Sequence, residues 1–138
     1  LTNLVCYGVI GYIYSATSGA QLGTFEPFEI GDEEVVLTGL CLDNLDLSYR
    51  IMFEIEIGWD KPIHADLGEL EIMIRKRDST GEIVDWTQET CFNSALTNID
   101  ASTVEGSPYQ NYVLTVKSPG TRARIIGPYL FKGTVLSK

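Results

Sequence analysis

Between Tyr49 and Trp59 (YRIMFEIEIGW) apolar residues fall at every second position: Ile51, Phe53, Ile55 and Ile57 alternate with Met52, Glu54 and Glu56. A period of two sends alternate side chains to opposite faces, so the segment predicts a strand with one dry and one wet face. Residues 69–77 repeat the pattern, with Leu70, Ile72 and Ile74 set between Glu69, Glu71, Met73 and Arg75. Two adjacent strands of this kind make a sheet whose dry face needs a second sheet to cover it. Further strands are expected over Val35–Leu42, Ile83–Phe92, Tyr109–Lys117, Arg122–Ile126 and Tyr129–Leu136, with a bend or bulge at Gly127-Pro128. Pro27 marks Thr24–Ile30 as a short edge strand or extended loop. The weakly patterned Asn93–Ser107 reads as a long connection holding one short strand near Ala95–Ile99. No segment keeps a helical period over three turns. Eight or nine strands at this spacing predict an all-β, two-sheet antiparallel sandwich. Jelly-roll topology is preferred to an immunoglobulin-like one, because long connections interrupt the hairpins.

The N-terminal stretch breaks the alternation. Leu4–Tyr14 (LVCYGVIGYIY) is almost wholly apolar or aromatic, the mark of a strand buried on both faces. It reads either as a central strand of this domain or as an arm lying in a neighbouring subunit. Ser15–Gly23 (SATSGAQLG) is built of small residues and suits a flexible connection, which a strand-exchange hinge requires. The expected division is residues 1–23 as arm and connector and residues 24–138 as the sandwich.

A chain of 138 residues is most economically one domain with a core of its own. The formal charge of −9 argues against nucleic acid and anionic membrane surfaces as partners. Arg75, Lys76 and Arg77 form the only basic run and read as the solvated end of a strand. No apolar run reaches the roughly 18–20 residues of a membrane span. A start at Leu1 rather than Met is what removal of a targeting segment, or trimming, would leave.

Candidate chemistry is sparse. His64 lies near Asp66, a base with an orienting acid in principle, yet no nucleophile motif accompanies it, and a surface-loop histidine is the plainer reading. One histidine and three scattered cysteines do not supply a zinc site. The loop acids Asp32, Glu33, Glu34, Asp43, Asp46, Asp60 and Asp66 match no calcium-loop pattern and read as solvated charges. The expectation is therefore no enzyme, no catalytic residues, no cofactor and no metal. Trp59, Trp86, Tyr109, Tyr112 and Tyr129 offer flat faces for stacking sugar rings, with core or rim packing as the plainer role for each. Cys6, Cys41 and Cys91 are an odd set, so at most one internal disulfide forms. In an oxidising compartment the leftover thiol becomes a candidate for an intermolecular bond, and Cys6 on the arm is the natural one. Three buried free thiols in a reducing compartment are the alternative.

The arm LTNLVCYGVIGYIY, the spacer SATSGAQLG and the strand series beginning GDEEVVLTGLCL together resemble the jelly-roll subunits of bacterial endospore appendages and related self-assembling surface fibres. Such subunits carry an N-terminal connector whose cysteines link it to other subunits; this chain has one cysteine in the arm rather than a cluster. The resemblance implies a structural subunit of an extracellular filament or surface layer, at the cell or spore surface, with copies of itself as partners. It implies subunit contacts at Leu4, Val5, Cys6, Tyr7, Val9, Ile10, Tyr12, Ile13 and Tyr14, and cross-links among Cys6, Cys41 and Cys91. The alternative reading is a lectin-like or receptor-binding sandwich, with carbohydrate as partner.

Overall fold

A computed structural model describes residues 5–8, 26–43, 49–104 and 109–137. Among them the chain forms nine strands and no helix: β1 Val5–Gly8, β2 Phe28–Ile30, β3 Val35–Asp43, β4 Tyr49–Asp60, β5 Gly68–Lys76, β6 Ile83–Cys91, β7 Ser94–Val104, β8 Tyr109–Lys117 and β9 Ala123–Ser137. One sheet runs β1-β3-β8-β5-β6 and the other β2-β9-β4-β7. Leaving β1 aside, β2 lies beside β9, β3 beside β8, β4 beside β7 and β5 beside β6, each partnership nested inside the one before. That wrapping of a long hairpin into two sheets is the jelly roll. All pairings are antiparallel except β1 with β3, which is parallel.

The alternation in β4 organises the core. Ile51, Phe53, Ile55, Ile57 and Trp59 are all buried, and β4 is paired on both sides, by β7 and by β9. Facing them from the other sheet are Leu70, Ile72 and Ile74 of β5 and Tyr112, Leu114 and Val116 of β8, all buried. Phe53 is the hub, its ring centroid 4.8 Å from Tyr112 edge-on and 5.7 Å from Phe131 in a stacked arrangement. The expected irregularity at Gly127-Pro128 is present. The β4 register jumps from Ile57 opposite Tyr129 to Trp59 opposite Ile125, so residues 126–128 bulge out of the ladder. There the backbones of Gly58 and Gly127 approach closely: a Cβ on Gly58 would lie 3.7 Å from Gly127 Cα.

Three details differ from the sequence reading. The two strands expected over Arg122–Ile126 and Tyr129–Leu136 are one, β9, which starts at Ala123 and is carried through the bulge. Asn93–Ser107 is mostly strand, since β7 pairs with β4 at eleven successive positions from Ser94 to Val104. Its Ser, Thr, Asn and Asp residues hide the pattern, and the long β4 template imposes it; strand preference is set by neighbours more than by residue type. Finally, β3 has a register break between Val36 and Thr38. Beyond it, Thr38 and Leu40 stand opposite the core residues Leu114 and Tyr112, while Cys41 stands opposite Asn111. The break therefore shifts by one residue which β3 positions pair with which β8 positions beyond it.

Candidate functional site

Four places carry the functional expectations: the edge where β1 lies, the groove beside it, the loop cluster at one end, and the outer face of the five-stranded sheet. Of the arm, Val5–Gly8 is described, and it runs parallel to β3 with Val5, Cys6, Tyr7 and Gly8 opposite Leu40, Cys41, Leu42 and Asp43. Leu4 and residues 9–25, which include the expected contacts Val9, Ile10, Tyr12, Ile13 and Tyr14, lie outside the described residues. Cys6 and Cys41 are therefore register partners, a pairing that spacing alone did not reveal. Cys91 is a free, buried thiol whose pKa is raised, first by burial and then by the Asp60 carboxylate.

No described strand pairs with the outer edge of β3 from Val35 to Gly39. Beside that edge an apolar groove of about 210 Å³ opens between the sheets, lined by Phe28, Glu29, Val35, Val36, Leu37 and Tyr129. Phe28 and Val35 are partly exposed there, at 38% and 36%.

The loop cluster is tied together by a buried hydroxyl. Ser118 Oγ donates to Glu69 O at 2.5 Å and accepts from the Arg122 amide at 2.9 Å, while the Ser118 amide donates to Gly31 O at 2.7 Å. Asp32 accepts from the Gly120 amide at 2.9 Å, and Asp60 holds Arg124 through two bonds of 3.0 and 2.8 Å. These loop acids are engaged structurally, and among the described residues no three His, Cys, Asp or Glu side chains gather to hold a metal ion. A cleft of about 410 Å³ here is lined by Glu29, Lys61, Pro62, Ile63, His64 and Arg124. His64 Nε2 donates to Thr121 O at 3.0 Å at the edge of this cleft.

Among the described side chains, the outer face of the five-stranded sheet carries charge and the aromatic Trp86. Arg75 on β5 reaches across β8 to Glu34 at the start of β3, with Nε and Nη2 on the two carboxylate oxygens at 2.6 and 2.9 Å and Nη1 on Gly81 O at 2.7 Å. The guanidinium holds the Glu34 carboxyl below its ordinary range against the opposing effect of burial. Of the aromatics considered for sugar stacking, Trp59 and Tyr112 are wholly buried in the core, and Tyr129 lines the groove on the other sheet. The side chain of Tyr109 lies outside those described, and Trp86 is half-exposed, at 50%, with its indole N–H donating to Glu71 Oε1 at 3.1 Å.

No known protein family's sequence profile matches the chain, and no curated protein matches it. Among solved structures, the insecticidal delta-endotoxin Cry8Ea1 from Bacillus thuringiensis aligns over 82% of this chain at 9% identity, with a TM-score of 0.44. The aligned part is 20% of that much longer chain. A superposition so loose carries no argument about activity.

Proposed function

We infer that this protein is a structural, self-assembling subunit of an extracellular filament or surface layer, and that it polymerises by lending its N-terminal strand to a neighbour. The observation that supports this is the seat of β1: parallel, at the sheet edge, with the apolar groove beside the half of β3 that no described strand pairs. A strand at a sheet edge gives up backbone hydrogen bonds with one neighbour alone when it leaves. The same seat on a neighbour's β3 restores them by strand addition. Head-to-tail lending does not close on itself, so it builds a fibre.

Lending in the observed register brings the donor's Cys6 beside the acceptor's Cys41. Adjacent strands lie about 4.8 Å apart, within the roughly 4.4–6.8 Å between Cα atoms that a disulfide spans. The two thiols would lose two protons and two electrons to an external disulfide oxidant, as an oxidising compartment provides. Electron microscopy and non-reducing denaturing electrophoresis test the proposal. Wild type should form filaments and reductant-sensitive ladders, Cys6→Ser should lose the ladders, and deletion of residues 1–16 should lose the filaments. A wild-type protein that stays monomeric at every concentration would overturn the reading.

A further inference from the structure

The outer face of the five-stranded sheet holds two adjacent rows set by strand register. In one, Gln88, Glu71 and Lys117 stand side by side on β6, β5 and β8. In the next, two residues along each strand, stand Trp86, Met73 and Thr115. Both rows point away from the core, since they alternate with Leu70, Ile72 and Ile74 on β5 and with Leu114 and Val116 on β8. Strand spacing places neighbouring residues of a row about 4.8 Å apart, and the rise along a strand sets the two rows about 7 Å apart. Met73 and Thr115 are buried, at 2% and 0%, beneath this surface, and the half-exposed Trp86 reaches across to β5. The bond to Glu71 fixes the indole's orientation, leaving the other carboxylate oxygen of Glu71 and the amide of Gln88 at its margin.

We propose that this face binds a neutral saccharide, with one pyranose ring stacked on Trp86 and its hydroxyls bonded to Glu71, Gln88 and Lys117. The chemistry of the row selects the ligand. A pyranose offers a C–H face to an aromatic ring and a rim of hydroxyls that both donate and accept. The row meets that rim with an acceptor in Glu71, a donor in Lys117 and both in Gln88. One negative and one positive charge cancel across it, so neither an acidic nor a basic ligand is favoured. An extended peptide would be expected on a strand edge, where backbone groups are free, rather than across a face whose backbone is already paired. This site does not depend on strand lending.

The test is calorimetric titration of the full chain with a panel of soluble hexasaccharides: β-1,4-glucan, β-1,3-glucan, α-1,4-glucan and β-1,4-linked N-acetylglucosamine, with hexagalacturonate as the acidic arm. One neutral member should bind saturably. Trp86→Ala should weaken it tenfold or more and Glu71→Gln several-fold, with far-ultraviolet circular dichroism confirming that both stay folded. Phe92→Ala, at an exposed turn, should bind as wild type does. Binding of the acidic arm alone, no binding by any neutral member at millimolar concentration, or equal affinity in Trp86→Ala and Phe92→Ala would each overturn the proposal.

Discussion

Truncating Phe53 to alanine probes the contact between the two sheets directly. Phe53 is 1% exposed and belongs to the four-stranded sheet, as does Phe131, whereas Tyr112 comes from the other. Removing the ring forfeits about 2–3 kcal/mol of burial. Its two ring contacts, at 4.8 and 5.7 Å, contribute about 0.5–1.5 kcal/mol each. Its own strand, β4, is held on both sides by β7 and β9 and cannot collapse into the space, so a cavity remains. The expected loss is therefore about 3–5 kcal/mol, the range found for phenylalanine truncation in rigid cores. Phe53→Leu, which keeps much of the volume, should cost about 1–1.5 kcal/mol. Equilibrium urea unfolding measures both, read from the emission of buried Trp59 in a Trp86→Phe background that removes the half-exposed indole. A loss below about 1 kcal/mol for Phe53→Ala would refute the placement of this ring between the sheets.

Arg75→Ala should cost about 2–3 kcal/mol, since it leaves a largely buried carboxylate and the Gly81 carbonyl without their partner. The folded-state pKa of Glu34 lies below its ordinary value of 4.5. The stability it contributes is thus complete above that value and lost as pH falls through the folded pKa. Glu34→Gln should flatten the acid limb of a stability–pH curve, and an unchanged limb would remove Glu34 from that account. Cys91 should resist iodoacetamide in the native protein and react on unfolding, because burial both shields it and keeps it protonated; mass mapping of the labelled thiol decides. Gly81→Ala should destabilise by about 1–3 kcal/mol in thermal melts, because its Cβ would run into the Lys76 carbonyl.

How much of this was legible beforehand differs from strand to strand. In β4 and β5 the burial alternation is written in residue type, so Ile51, Phe53, Leu70 and Ile72 could be placed in the core from the chain alone. β7 could not be read that way, since an edge strand of Ser, Thr and Asn takes its form from the strand beside it. The break at Val36/Thr38 leaves no local mark either, yet it sets the position of Cys41. Trp59 continues the parity of Ile57 and is buried accordingly. The neighbours of Trp86, Met73 across from it and Glu71 diagonal to it, are set by register alone. Register between distant strands is a property of the whole fold, and neither Cys6 opposite Cys41 nor the Gln88–Glu71–Lys117 row is visible in spacing.

The nested order of strands also governs how the chain comes together in time. β5 and β6 are joined by a short turn, whereas β2 must find β9, with Phe28 meeting Ile125 across nearly a hundred intervening residues. Closing large loops costs entropy before any pairing repays it, so domains of this connectivity fold in milliseconds to seconds rather than microseconds. On the ribosome the consequence is sharper. β4, the strand richest in large apolar residues, needs β9 to cover one of its edges, and β9 is made some sixty residues later. Until then the nascent chain displays an open, apolar edge to every other nascent copy nearby.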